Sequence, residues 1–355
     1  MKTAVIYSSR YLDHSTGFGH PESPDRLRAI ISGIKSSAVL QDNCSLAAPR
    51  EATLEEICAV HDKSYVKTVE RFCSSGGGNF DEDTFLSPKS YEVALLAAGG
   101  AIKACELVMS REFDNGFALV RPPGHHSGVR GRALSASSLG FCVFNNVAIA
   151  AEALMKKFGL KHVMILDIDV HGGNGTQEIF YDRPEVLFVN LHQRGIYPGR
   201  CFVEEVGEGK GKGFNINVPL PPMASDDVYL KAYEEVIVPI ASQFKPQFLL
   251  ISAGFDGHMS DPLASMRLSD AGYIFQFEKA LSIAHDSGAK GPVAMLEGGY
   301  NLDVLSRVIT SVIATMSGAP IKADLKMATS FSDIVKEANA TLKELKDTLS
   351  PYWKL

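Results

Sequence analysis

No stretch of these 355 residues approaches the ~20 consecutive apolar residues of a membrane span, and Met1–Ser9 passes into polar sequence without a signal-peptide core. The expectation is a soluble, intracellular chain, cytoplasmic in the simplest case, with no membrane partner. Positive charge is scarce as well: 35 Lys and Arg stand against 41 Asp and Glu, a net charge of −6. That balance argues against direct nucleic-acid binding and favours a basic substrate. The six cysteines, Cys44, Cys58, Cys73, Cys105, Cys142 and Cys201, contain no CxxC pair. Zinc-ribbon and thiol-redox motifs are thereby excluded, and reduced, mostly buried thiols are expected. Internal repeats and a linker rich in Pro or Ser are missing too, so nothing divides the chain.

What is present is an ordinary globular composition, 45% apolar and 21% charged, enough to bury a large core. Short β-branched runs at Thr3–Tyr7, Phe117–Val120, His162–Asp167, Val186–Asn190, Phe248–Ser252 and Val293–Leu296 read as strands buried on both faces. Between them, Ser90–Ser110, Asn146–Phe158, Ser225–Phe244, Ser269–Ser287 and Leu302–Ser317 carry apolar residues at helical spacing, several after a capping Ser, Asp or Asn. Alternating β and α predicts an α/β fold, a mostly parallel central sheet with helices on both faces. A single domain over 1–320 is expected. Residues 321–355 form a C-terminal tail whose stripe of Phe331, Ile334, Val335, Ala338, Leu342, Leu345 and Leu349 predicts a helix packed on that domain. Gly207, Gly209, Gly211 and Gly213 fit no phosphate-binding register and read as a flexible loop.

Ligands of open α/β sheets bind beyond the carboxyl ends of the strands, and four of the six expected strands deliver reactive residues there. Phe117–Val120 leads into Arg121-Pro-Pro-Gly-His-His126, and His162–Leu166 into Asp167, Asp169 and His171. Phe248–Ser252 leads to Asp256, and Val293–Leu296 to Gly298, Gly299 and Tyr300. Asp169 and His171, two apart, point to one side of an extended chain and can grip one ion, with Asp256 as a third ligand. Two carboxylates and an imidazole with vacant positions suit Zn²⁺, or Fe²⁺ or Co²⁺ in the same geometry. Taken alone, Asp-x-Asp-x-His also fits a solvated loop with a cap, and the other strand ends are what count most against that reading. His125 and His126 offer adjacent imidazoles for proton transfer, and the Tyr300 phenol can donate to an oxyanion. Each of these would be unremarkable by itself, since a tandem His pair can be incidental and a Tyr after two glycines can simply pack in a turn.

Together these motifs, with Gly140-Phe-Cys-Val-Phe-Asn-Asn146, Ser252-Ala-Gly-Phe-Asp256, Asp261-Pro262, Glu297-Gly-Gly-Tyr-Asn301 and His20-Pro-Glu-Ser-Pro-Asp-Arg-Leu27, resemble the zinc-dependent histone deacetylases and acetylpolyamine amidohydrolases, whose fold is shared with arginase. The resemblance runs from about Met1 to Gly318. It implies Asp169, His171 and Asp256 as zinc ligands, one Zn²⁺ per chain, with His125 and His126 beside the attacking water and His126 as principal general base and acid. Asp167 would orient His125, and Asn174 would face His126, as in the second class of deacetylases. Gly140, Phe141 and Tyr197 would line a channel for the acetyl-lysine stem, although without the resemblance both aromatics read as core. Gly298 and Leu263 would complete the substrate site, Leu263 at the channel mouth. The resemblance also implies monovalent cations such as K⁺. One would sit at Asp167, the main chain of Asp169 and His171, Asn190 and Leu191, with Asn190 where Ser is common. A second would use carbonyls of Phe180, Arg183, Val186 and Phe214.

Two departures stand out: the long, basic loop Ser127–Leu139 with Arg130 and Arg132, and Gly172 where a second His is common after His171. The implied activity is removal of acetyl or another short acyl group from lysine side chains of proteins or peptides. The alternatives are an acetylpolyamine or other small-amide deacetylase and, more remotely, an inactive acyl-lysine-binding protein. An oligomer is left open. Arginase-type two-metal hydrolysis wants more carboxylates than Asp167 and Asp169 supply near His171.

Overall fold

The computed structural model describes residues 1–37, 43–321 and 325–355. Eight parallel strands build one sheet: β1 (Thr3–Ile6), β2 (Cys44–Ala47), β3 (Asn115–Ala118), β4 (Val163–Asp167), β5 (Val186–Gln193), β6 (Asn215–Leu220), β7 (Phe248–Ala253) and β8 (Lys290–Leu296), in the order β6-β5-β4-β7-β8-β3-β1-β2. All residues of β3, β4, β5 and β7 are buried, as expected of a parallel sheet covered on both faces. Helices Ser90–Met109 and Asn146–Phe158 pack on each other, while Pro24–Ser36, Asp270–Ser287 and Leu302–Ser317 form a second packed group. Both groups touch β3 and β8, so they lie on opposite faces. The fold is the single α/β domain that the alternating pattern predicts.

The six expected strands and four of the five expected helices recur within a few residues. Side-chain caps begin several helices, with Asn145 accepting from the Ala148 N–H and Ser269 from the Gly272 N–H. Gly159, Gly288 and Gly318 end three of them in the left-handed conformation. The expected helix Ser225–Phe244 is broken differently. It divides into Asp226–Ala232, a π turn at Tyr233–Ile237, and Val238–Phe244. Pro239 gives the reason, since its ring has no N–H and collides with the carbonyl four residues back, which a widened turn accommodates. The glycines expected to form a flexible loop instead make a tight 3-10 turn at Gly209–Gly211. Trp353 donates its indole N–H to the Gly213 carbonyl at 2.7 Å.

The tail helix Ser332–Leu349 buries Ala338, Leu342, Leu345 and Leu349 and touches β6 at the sheet edge. Lys346 pairs with Glu235 at 2.5 Å, and the Ser330 hydroxyl donates to Asp227 at 2.6 Å. All six cysteines are free, four of them buried.

The chain order explains where the chemistry gathers. The first three strands occupy one end of the sheet and β4 to β6 the other, leaving β7 and β8 to fill the gap. The four strands with reactive ends, β4, β7, β8 and β3, are therefore consecutive at the centre. That gap is where the direction of winding reverses, the place at which α/β sheets open a crevice.

Candidate active site

Asp169, His171 and Asp256 come together although 87 residues of chain connect the first to the last. Their donor atoms all lie within 4.8 Å of one another. His171 Nδ1 is 3.2 Å from both Asp169 Oδ1 and Asp256 Oδ2. Three ligands on one tetrahedral ion, with bonds of ~2.0–2.1 Å, stand roughly 3.3 Å apart, so the spacing and the donor chemistry both fit Zn²⁺. The backbone supports the carboxylates. The Gly298 N–H donates to Asp169 Oδ2 at 2.8 Å and the Val170 N–H to Asp256 Oδ1 at 3.1 Å. Burial opposes charge on His171, yet the two facing carboxylates raise its pKa to about 10. Asp256 is pushed up by burial and by the charge of Asp169. Excess negative charge in a dry site is what a divalent cation relieves.

His125 and His126, with ring centroids 3.9 Å apart, are both buried and differ in their partners. His125 Nδ1 donates to Asp167 Oδ2 at 3.0 Å. Against the penalty of burial, Asp167 and Asp169 raise its pKa to about 10. His126 Nδ1 lies 2.8 Å from Asn174 Oδ1. The Asn174 amide cannot be flipped without loss, because its Nδ2 donates to the Ala133 carbonyl at 3.0 Å. His126 therefore carries its hydrogen on Nδ1 and leaves Nε2 as an acceptor. Burial and the neighbouring imidazoles His125 and His171 hold its pKa well below the usual value.

The Tyr300 ring meets Phe141 edge-on at 5.9 Å and has the Arg26 guanidinium 5.1 Å from its centroid. Burial keeps its phenol protonated far above neutral pH. Tyr197 stands edge-on to His126 at 4.7 Å, and its hydroxyl donates to the Ser138 carbonyl at 2.8 Å. Gly140, at φ +56°, sits where a Cβ would come 2.4 Å from the His126 ring and 2.8 Å from Tyr197, so no other residue fits there. Gly298 lies against the Asp169 and Asp256 carboxylates. Leu263 is 39% exposed, with its N–H on Asp261 Oδ1.

The loop Ser127–Leu139 folds into a short hairpin, Ser127–Gly128 against Gly131–Arg132, pinned by Glu178 through the N–H groups of Val129 and Leu134. Gly172 faces Cys201, whose sulfur would be 2.8 Å from an added Cβ. A buried thiol thus packs against the position where a second His is common. Asn190, across the ladder from Asp167, is fully buried with neither side-chain polar atom partnered. Of the carbonyls considered for a second cation, those of Phe180, Arg183 and Phe214 each already accept a backbone N–H.

Several residues around the site drew no role from the sequence. Glu22 is buried between Arg121 and Arg26, its Oε2 2.8 Å from Arg121 Nη2 and its Oε1 3.1 Å from Arg26 Nη1. Arg26 also donates to the Gly299 carbonyl at 2.6 Å and to that of Glu297. Glu297 Oε2 accepts the N–H groups of Gly124 and His125, and with His125 and Cys142 it forms a second cluster of metal-capable side chains. Their motifs were visible, and only the fold shows what each side chain touches.

Comparison with known proteins agrees with the geometry. Residues 20–316 match the model of the histone deacetylase domain. The chain is 37% identical to a probable deacetylase of Archaeoglobus fulgidus, over all of this chain and 99% of the relative. It is also 37% identical to a histone deacetylase-like amidohydrolase of Pseudomonas aeruginosa, over 84% of this chain and 77% of that one. The crystal structure of the HDA15 HD domain superposes with a TM-score of 0.88 at 36% identity, covering 99% of this chain and 96% of the other. With the motif order, the sheet and these relatives in agreement, the chain belongs to the histone deacetylase family.

Proposed function

We propose that the protein removes acetyl, or another short acyl group, from the side-chain nitrogen of lysine in peptides or proteins. The observation that carries this reading is the pair of adjacent buried imidazoles, His125 against the Asp167 carboxylate and His126 against the Asn174 amide, beside the Asp169–His171–Asp256 trio. Zn²⁺, held by those three side chains, supplies Lewis acidity to the amide carbonyl and to water. His126, neutral and with Nε2 free, takes the proton of the attacking water and later returns it to the leaving amine. His125, kept cationic by Asp167, adds positive charge where negative charge develops. The Tyr300 phenol donates a hydrogen bond to the carbonyl oxygen as it becomes an oxyanion. Phe141 and Tyr197 flank the path of the lysine stem, with Gly140 as its wall. The orphaned Asn190 amide beside Asp167 suits K⁺ as a structural ion.

A second reading keeps the chemistry and takes acetylpolyamines. It is favoured by the acidic run Asp81–Asp83, held beside Ser138 and Leu139 at the rim. Zinc-loaded protein assayed against acetyl-lysine peptides, longer acyl-lysines and acetylpolyamines decides between them. Tyr300→Phe should cost about 10²–10³ in kcat on an unactivated acetyl-lysine peptide. Full activity of that variant overturns the mechanism, and preference for acetylspermidine over every peptide overturns the substrate.

A further inference from the structure

The Tyr300 phenol has to be delivered to the right place by a loop that begins with two glycines. Gly298 and Gly299 leave Glu297–Asn301 easily deformed, Gly299 being at φ +112°. Arg26 grips this loop from one side, through the carbonyls of Glu297 and Gly299. The opposite side is gripped by Asp261, 39 residues away in the loop after β7. Its Oδ2 accepts the N–H of Tyr300 at 2.6 Å and that of Asn301 at 3.3 Å. Its Oδ1 accepts the Leu263 N–H at 3.1 Å. Asp261 is only 7% exposed and has no basic side chain as a partner among the described residues. A carboxylate buried against main-chain donors alone is costly, and two of its three bonds fasten its own loop to the loop that carries Tyr300.

We propose that Asp261 is a positioning residue for the Tyr300 phenol, acting through the backbone of Tyr300 and Asn301. The proposal rests on the reading of Tyr300 as oxyanion donor. Displacing a catalytic group by ~1 Å costs up to ~10² in rate. The carboxylate matters because one acid serves three N–H donors on two loops. An Asn at the same place offers one acceptor oxygen and turns an N–H₂ group toward donors that already need an acceptor.

The test is a double-mutant cycle on zinc-loaded protein, with metal content and thermal midpoint measured for each variant. Asp261→Asn should lower kcat on an acetyl-lysine peptide by about 10–100-fold, leave KM within ~3-fold, and keep one zinc per chain. In the Tyr300→Phe background the same substitution should cost less than ~2-fold, because residues acting as a unit are not additive. A trifluoroacetyl-lysine peptide, whose oxyanion is already stabilised by its fluorines, should suffer a smaller loss. If Tyr300→Phe is impaired and Asp261→Asn multiplies that loss in full, the positioning role is overturned while the reading of Tyr300 stands. If Tyr300→Phe keeps full activity, both fall. Should Asp261→Asn not accumulate folded, Asp261→Glu, which keeps the anion, is read in the same cycle. If neither folds, Asp261 holds the fold rather than the phenol and the proposal fails.

Discussion

A single methyl group at Gly298 should disable the metal grip with every proposed ligand left in the sequence. The Gly298 backbone lies outside the left-handed region, so Ala there carries no conformational penalty of its own. The added Cβ would nevertheless lie 2.1 Å from Asp256 Oδ2 and 2.6 Å from Asp169 Oδ2, against ordinary contacts of 3.4–4 Å. One or both carboxylates must retreat by more than ~1 Å, well beyond the ~0.2 Å tolerance of metal–ligand distances. Loss of a supporting contact alone costs ~10–100-fold in metal affinity, and displacement of a ligand should cost at least that. Chelator competition measures the affinity directly. At fixed zinc the same change should remove about 1.4–2.7 kcal/mol of zinc-dependent stability, read as a lower thermal midpoint only in the presence of metal. Gly257→Ala is the control, next to Asp256 but meeting only side-chain ends, those of Leu268 and Tyr273 at 3.2 Å and of Val170 at 3.7 Å. Gly298→Ala protein with wild-type zinc affinity and turnover would refute the assignment of Asp169 and Asp256 as ligands.

Three other outcomes are expected. His126→Ala should be severely impaired, and kcat/KM of the unmodified enzyme should stay level through neutral pH and fall only on the acidic side, because a lowered pKa keeps His126 neutral until the medium is well below 6.5; an acidic limb unchanged in residual His126→Ala activity would contradict this. Glu22→Gln strands two buried guanidiniums and should cost about 3–5 kcal/mol by urea unfolding. Burial opposes ionisation of Glu22, but Arg121 and His14 hold its pKa well below normal, so this stability is present above the unfolded pKa of ~4.3 and is lost as pH falls below it. Leu263→Glu should shift kcat/KM toward acetylpolyamines at low salt and less at high salt, where exposed charges are screened; equal shifts at both would point to shape rather than charge.

The central strands were legible because each is a short apolar run between turn signals, as Val163–Leu166 and Phe248–Ile251 illustrate. The edge strands were not. Cys44–Ala47 leaves Ser45 and Leu46 exposed, and Asn215–Leu220 mixes two asparagines and a proline with its apolar residues. Both are strands because a neighbour offers them a ladder, which propensity does not encode. Helices Pro24–Ser36 and Lys63–Ser74 went unread for a related reason. Their buried faces include Arg26 and Tyr65, so the apolar stripe is interrupted by side chains whose polar ends find partners inside.

At the site, legibility follows distance from the strand ends. Asp169, His171, His125, His126 and Tyr300 lie within eight residues of the points where β4, β3 and β8 stop, so strand position brings them to one place. What strand position cannot supply is orientation. Two adjacent histidines of one sequence become different groups because Asp167 faces one and Asn174 the other, and Asn174 has that role only because the helix Asn174–Phe180 starts against the His126 backbone. Gly175 makes that approach close enough for an added Cβ to lie 2.4 Å from the His126 carbonyl carbon. A glycine one residue past the amide thus sets how near the amide can come, and through it which nitrogen of His126 is free. The separation of protonation states that the proposed chemistry needs is set by Asp167 and Asn174, and the helix start is where it can be altered: Gly175→Ala should push Asn174 away from His126 and impair turnover while Asp169, His171 and Asp256, on other elements, keep their zinc. Loss of zinc in step with activity would show that the two halves of the site are not mechanically separate.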